Sequence, residues 1–417
     1  MYQLKSTSEF AEVLFTFRLA FSKRSWPYLL AMAVPWVLLA GQRSVKRLGA
    51  WASHRRHRSS YYRFFANFKF RRDVFFRALL DLIVKTFQPA ELRIAIDDTL
   101  CPKWGKHIFG TASLYDSSRP GFLWGHNWVV LAVVVPLFGV SVALPFFVML
   151  YRPRKTCPKA QFRTRLELVV EALTLVRQWT PLPRRVLADG AYFNDGLLGP
   201  LAKLQIPMVS RLRADAVLRR DPPKRRRHKR GRRPRYGAAL PSLGNIARSP
   251  AGWRTLRVSI YRRSVRLQVK TFDAWWPACG QKIRVVLTRD PRRSARASFL
   301  ATTDLSLTTE QIIHLFSLRW SIEQLFSDVK HSMGLDSAEV RKPHSVLRHA
   351  ALAFGMVTVV RVWAARSLKA TAAPPVSFNR QLAELRGDIL AQALFPASPR
   401  AKGSRRNARA LCGLLAA

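Results

Sequence analysis

The sequence predicts a mixed α/β fold that follows an all-helical N-terminal region. Through about residue 90, apolar and aromatic residues recur at three- and four-residue spacing, which is typical of amphipathic helices. From Glu91 onward, short β-branched strands alternate with helical segments in the order β, β–β, α, β, α, β. More strands are expected over 253–305, followed by a helix whose start Thr308 or Thr309 would cap. This order indicates a mixed sheet with helices on its faces.

The composition indicates a polyanion as partner. The 417 residues include 71 Lys and Arg but 24 Asp and Glu, which gives a net charge of +47. At 48% hydrophobic the chain can build a core, so it is not a disordered basic tail. Such a field favours nucleic acid, with an anionic membrane surface as the alternative.

The cysteines and the N-terminus indicate a reducing, cytoplasmic setting. The four cysteines are scattered without a CxxC pair, so neither a disulfide scaffold nor a zinc site is expected. The first residues carry Glu9 and Glu12 and lack the basic-then-apolar layout of a signal peptide.

The helical region contains a basic, aromatic-rich segment over residues 41–65. Arg43, Lys46 and Arg47 are candidate contacts to DNA phosphates, and Gly49 with Ala50 would suit the corner of a helix-turn-helix. A solvated basic helix face is the alternative interpretation. A second basic segment, residues 219–235, holds eleven Lys or Arg among seventeen residues and predicts an extended loop, with Arg226 and Arg230 as phosphate contacts.

The uncharged run Trp128–Tyr151 is long enough to cross a bilayer. Pro136, Gly139 and Pro145 interrupt it, and Val and Phe dominate its two halves. We therefore expect a buried β-hairpin instead of a membrane helix.

Acidic residues are rare in this chain, yet several stand at the ends of apolar strands. Asp97 and Asp98 close one predicted strand, and Asp189 closes another. In the later helix, a continuous α-helix would bring Arg319, Glu323 and Lys330 onto one largely buried face. Carboxylates that meet over a crevice would bind Mg²⁺ or Mn²⁺, as two ions, and support phosphoryl transfer. Turn capping by an Asp and a salt-bridged helix surface are the alternatives.

These motifs resemble the DDE transposases of bacterial insertion sequences. The strand–Asp–Thr motif, the strand–Asp–Gly turn and R-x₃-E-x₆-K are similar to the group with a Y-x₂-R-x₃-E-x₆-K signature, over about residues 91–360. The resemblance implies a ribonuclease-H-like fold with a β-rich insertion before the last acid. It implies Asp98, Asp189 and Glu323 as the catalytic and metal-binding acids, with Asp97 as a reserve ligand.

The resemblance also assigns secondary roles. Arg319 and Lys330 match the phosphate-contacting cations, while the Tyr of the signature falls on Phe316. Lys103 and Lys106 follow the first acid and could contact phosphates. Trp275 or Trp276 of the insertion could stack a displaced base, although a core position is the alternative.

The expected function is a DNA transposase that cuts and pastes its own element. It would bind the inverted-repeat ends and the target DNA as a homodimer, without a membrane role, in the bacterial cytoplasm with the nucleoid. A catalytically inactive, transposase-derived DNA-binding protein is the alternative. The expected organisation is a helical DNA-binding region (1–90), the first part of the catalytic domain (91–213), a basic loop with the β-rich insertion (214–305), the completion of the catalytic domain (306–370) and a tail (371–417).

Overall fold

The structure is a computed structural model that describes residues 8–52, 57–223, 234–260, 263–290, 292, 294–368 and 377–394. The chain divides into two compact units. The first unit combines Met1–Pro89, Asp98–Thr164 and Ile322–Ala417, and the second combines Ala90–Asp97 and Arg165–Ser321.

The described helices and strands contain the predicted order, with further elements that the sequence analysis did not predict. The α-helices are α1 Glu9–Phe15, α2 Trp26–Leu38, α3 Val45–Ala52, α4 Ser59–Ala66, α5 Arg72–Phe87, α6 Arg165–Trp179, α7 Asp195–Lys203, α8 Leu243–Arg248, α9 Thr309–Leu318, α10 Ser321–Met333, α11 Pro343–Ser367 and α12 Phe378–Leu394. The strands are β1 Leu92–Pro102, β2 Ala112–Asp116, β3 Gly121–Leu137, β4 Val140–Tyr151, β5 Arg184–Ala188, β6 Met208–Arg211, β7 Arg254–Ile260, β8 Arg263–Trp276, β9 Gln281–Asp290 and β10 Ser294–Thr302. Short 3₁₀ turns lie at Arg18–Ala20, Arg154–Thr156, Lys159–Gln161 and Pro277–Cys279.

The long apolar run forms the predicted β-hairpin in the first unit. β3 and β4 pair antiparallel up to Leu137 and Val140. The two-residue turn between them places Phe138 at φ 50° and Gly139 at φ 77°, which matches the twist of a tight hairpin. Pro145 has no N–H to donate, and the ladder shifts register beside it.

Helix α11 is the central core helix of the first unit. It is long and apolar enough to span a membrane, but 94% of its most apolar window is buried inside the protein. Its Thr358 hydroxyl donates to the Pro145 carbonyl at 2.7 Å, which ties the helix to β4. These contacts are those of a core helix.

The N-terminal region is helical, as predicted, but the expected corner at Gly49 and Ala50 is wrong. Both residues lie inside α3. A Cβ on Gly49 would lie 3.0 Å from the Tyr61 ring, so the glycine permits close packing of α3 against α4. The small residues therefore serve a helix contact instead of a turn.

The second unit contains a mixed sheet, which confirms the predicted fold class. The first part of β1, β5 and β6 are parallel neighbours. β10 pairs antiparallel with β6, and β9, β8 and β7 follow in antiparallel order. The strands predicted over 253–305 thus continue the sheet. Helices α6, α7 and α9 accompany them, consistent with a ribonuclease-H-like fold.

The helix predicted through Arg319 and Glu323 is not continuous. The capping box of Thr308 and Gln311 begins α9 as expected, but the helix ends at Leu318. The Ser321 hydroxyl donates to the Leu318 carbonyl at 2.8 Å, where a continuous helix would bind a backbone N–H. The prediction that Arg319 shares one helix face with Glu323 and Lys330 is therefore wrong, and Trp320, at the break, is 54% exposed.

The basic segment 219–235 lies mostly outside the described residues. Its start is held in place, because the Arg219 backbone forms antiparallel β-bridges to Ala239 and Trp275.

In the tail, helix α12 forms although its hydrophobic pattern is weak. Arg386 of α12 donates to the carbonyls of Val37 and Leu39, which satisfies the end of α2.

Candidate active site

Two predicted acids follow the end of the parallel pairing between β1 and β5 in the second unit. The prediction that Asp97 and Asp98 close their strand is wrong, because β1 continues to Pro102. β1 and β5 pair in register up to Ile96 and Ala188. Asp97 and Asp189 are the residues that follow this last pair. The half-buried Asp189 side chain has no hydrogen-bond or ion-pair partner within the described residues. A carboxylate at the carboxyl edge of a parallel sheet is suitably placed for a ligand.

Asp97 is engaged by the arginine of the signature. Arg319 Nη1 donates to Asp97 Oδ2 at 3.1 Å, and both side chains are mostly buried. The guanidinium carbon of Arg319 lies 5.8 Å from the centre of the Phe316 ring. The ring that replaces the signature tyrosine therefore packs beside this arginine. The ion pair makes Asp97 an anchor for Arg319.

Asp98 lies in the first unit and has a partner that the sequence analysis missed. The Asn127 amide, on β3, donates from Nδ2 to Asp98 Oδ2 at 2.8 Å. Asn127 is buried, so its contact restricts the rotation of the carboxylate. The available signal was a pair of polar residues, His126 and Asn127, directly before the apolar run that begins at Trp128. His126 has a structural partner, because its Nε2 lies 2.9 Å from the Phe109 carbonyl.

Glu323 and Lys330 share α10, also in the first unit apart from its first residue. They are seven residues apart, which places them on one face of the helix, and both are half-buried. On another part of α10, Asp328 Oδ2 accepts from Arg361 Nη2 at 2.8 Å. This buried pair joins α10 to α11 and holds the helix that carries Glu323.

Two of the predicted phosphate contacts are instead held by backbone carbonyls. Arg43 is not available to a phosphate, because its buried guanidinium donates to the carbonyls of Trp36, Gly41 and Leu39. Burial also lowers the pKa of Arg43 to about 10. Lys103 Nζ is held by the carbonyls of Leu335 and Asp336, at 3.3 and 2.7 Å, and burial lowers its pKa.

The remaining candidates differ in exposure. Lys46, Arg47 and Lys106 are exposed, as a phosphate contact requires. Arg226 and Arg230 lie outside the described residues.

The two candidate stacking residues are packed within the second unit. Trp276 is buried and stacks on Phe193 with ring centroids 5.3 Å apart, which agrees with the core alternative. Trp275 is half-buried, and its Nε1 donates to Asp221 at 2.8 Å. Its ring also contacts Tyr236. The core alternative therefore describes Trp276, and Trp275 is engaged by protein groups.

Comparison with known families agrees with these features. Residues 16–273, more than half of the chain, match the family described as DDE superfamily endonuclease. The chain belongs to this family. Residues 266–372 match the family described as archaeal putative transposase ISC1217, and the two matches together support a transposase. No curated protein matches the chain.

Within the described residues, no three His, Cys, Asp or Glu side chains are grouped closely enough to hold a metal ion. The donor chemistry nevertheless fits a hard cation, since Asp98, Asp189 and Glu323 offer carboxylate oxygens and no sulfur or nitrogen.

Proposed function

We propose that the protein is an active transposase that binds the inverted-repeat ends of its element. It would cut and rejoin DNA with Asp98, Asp189 and Glu323 as its catalytic acids. The protein would act as a homodimer on the DNA and transfer its element into target DNA. It would belong to the group of bacterial insertion-sequence transposases with the Y-x₂-R-x₃-E-x₆-K signature. The proposal rests most on one observation: a partnerless Asp189, within the described residues, follows β5 at the carboxyl edge of the parallel strands in a chain of the DDE superfamily.

The reaction would exchange one phosphodiester for another. Water attacks a phosphodiester at the element end and releases a 3′-hydroxyl, which then attacks a phosphodiester of the target. Two Mg²⁺ or Mn²⁺ ions, when bound, would lower the pKa of the attacking oxygen and stabilise the leaving oxygen. Asn127 would keep Asp98 oriented, and Lys330, on the same face of α10 as Glu323, would contact a DNA phosphate. No ATP is required.

The catalytic assignment is tested by cleavage of labelled DNA that carries the repeats, with Mg²⁺. We expect Asp98→Asn, Asp189→Asn and Glu323→Gln to reduce end-specific nicking to background. The matched controls are Asp73→Asn and Asp215→Asn, which change exposed acids in the first and second unit. Undiminished cutting by all three site variants would refute the assignment. Binding of the repeats without cutting by any form would favour the inactive DNA-binding alternative.

DNA binding through the basic helices has its own test. Each lost phosphate contact should lower the slope of log binding constant against log salt by about 0.9. We expect Lys46→Ala and Arg47→Ala to lower this slope. An Arg43→Lys variant should not, because Arg43 donates to backbone carbonyls. Equal slopes for all variants would show that α3 does not contact DNA phosphates.

A further inference from the structure

The first unit carries an exposed row of aromatic side chains that the proposed catalytic site does not use. Tyr115 and Phe122 are cross-strand partners on β2 and β3, with ring centroids 5.5 Å apart. Trp124 follows Phe122 on the same face of β3, and its Nε1 donates to the Gly105 carbonyl at 3.3 Å. That bond ties the loop after β1 to the strand. Trp104, Phe122, Tyr115 and Trp124 are 96%, 77%, 58% and 41% exposed.

The same face of β3 continues into a cavity. His126 and Trp128 occupy the next alternate positions of the strand, are buried, and line a cavity of about 380 Å³ together with Trp104. This volume lies in the range of small-ligand sites. The face therefore runs from the exposed rings on β2 and β3 to a partly open cavity.

Two buried polar atoms of the cavity residues lack a partner in the described part of the chain. They are Trp128 Nε1, a donor, and His349 Nε2. Burial lowers the pKa of His349 to about 3, so its ring is neutral. The His349 ring also hydrogen-bonds the Arg43 backbone. Both atoms are inaccessible to solvent, so they lie behind the surface of the cavity.

The charge of the chain decides which occupant fits. A second copy would bring another chain of net charge +47 to the same face, which disfavours self-association. A polyanion is favoured instead, and Lys106 and Arg341 line the cavity, although Asp336 and Glu339 do so as well. Unpaired nucleotides combine phosphates with flat bases whose edges carry adjacent donors and acceptors.

We propose that this face binds single-stranded DNA, with successive bases stacked on Phe122, Trp124 and Trp104. The inference rests on the proposed function for the identity of the nucleic acid as DNA. The face is distinct from Trp275 and Trp276, which belong to the second unit.

The test measures binding of the full-length chain to a labelled single strand and to the matched duplex. Stacking on one aromatic residue changes affinity by about tenfold or more, so Trp104→Ala with Phe122→Ala should weaken single-strand binding at least that much. Duplex binding should change by less than about twofold. Both side chains are exposed, so folding should persist. Leu19→Ala, an exposed apolar side chain outside the face, is the matched control.

A second measurement reports base stacking directly. A 2-aminopurine base in the strand should lose fluorescence when it stacks on the wild type and less so on the double alanine variant.

The outcomes separate the two proposals. Wild-type-like single-strand binding by the double variant overturns the inference, and so does self-association, seen by light scattering, that the same variant abolishes. Aromatic-dependent single-strand binding without any cleavage of repeat DNA would sustain this inference while the proposed catalytic function fails.

Discussion

The buried ion pair between α10 and α11 offers a sharp test of how the Glu323 helix is held. The side chains of Asp328 and Arg361 are 8% and 4% exposed. Gln324 donates to the second oxygen of Asp328 at 3.0 Å, and Arg361 reaches Gln381 of α12 at 3.4 Å. Burial raises the pKa of Asp328 and lowers that of Arg361, so each charge depends on the other for compensation.

Removing one partner should therefore cost far more than removing an ordinary surface pair. We expect Asp328→Ala or Arg361→Met alone to lower the free energy of unfolding by about 3–5 kcal/mol, because a buried charge is left without its counter-ion. The double variant that combines Asp328→Leu with Arg361→Met should recover most of the loss, since two apolar side chains need no compensation.

Urea unfolding followed by tryptophan fluorescence provides the measurement. Arg213→Ala is the control, because Arg213 and Asp215 form an exposed pair, and we expect a change below about 1 kcal/mol. If the two buried single variants lose no more stability than this control, the pair does not hold α10 as argued.

Three other predictions concern the Asn127 partner of Asp98, the pH dependence of the free energy of unfolding and the N-terminal cap of α9. Asn127→Ala should reduce cleavage by about 10–100-fold with the protein still folded, since an oriented ligand loses its partner; a rate equal to wild type would contradict this. The pKa of His349 is about 3 in the folded protein and about 6.5 in the unfolded chain. The free energy of unfolding is therefore not reduced by His349 above about pH 6.5, and it falls as the pH is lowered, by up to about 5 kcal/mol. His349→Leu should flatten the fall in unfolding free energy between about pH 7 and pH 5, and an unchanged slope would assign the fall to other groups. Thr308→Ala removes the capping box of α9 and should cost about 1 kcal/mol in urea unfolding, whereas no loss would show that the cap is dispensable.

Local patterns in the sequence were sufficient for most of the elements. The β3–β4 hairpin followed from an apolar run interrupted by Pro and Gly, and the start of α9 followed from a capping pattern at Thr308. Both depend on interactions within a few residues of each other. The weakly patterned α12 was not predicted, because contacts with distant parts of the chain, such as Arg386 with the end of α2, stabilise it.

The candidate site shows the same division. The expected strand-end position identified Asp97, Asp98 and Asp189 as candidates, although β1 continues past Asp97 and Asp98, and the roles of the three acids stay predictions. The sequence did not reveal that Asn127 would donate to Asp98 or that Arg319 would pair with Asp97, because these partners are 29 and 222 residues away along the chain.

The sequence by itself determined the class of fold, the strongly basic character and the resemblance to DDE transposases, because composition, periodicity and short motifs are properties of neighbouring residues. The tertiary structure alone decided which cations are available. Arg43 and Lys46 are three residues apart and read alike in the sequence, yet Arg43 is buried against three carbonyls while Lys46 is exposed. Burial depends on what the rest of the chain packs against a residue, and no local pattern contains that information.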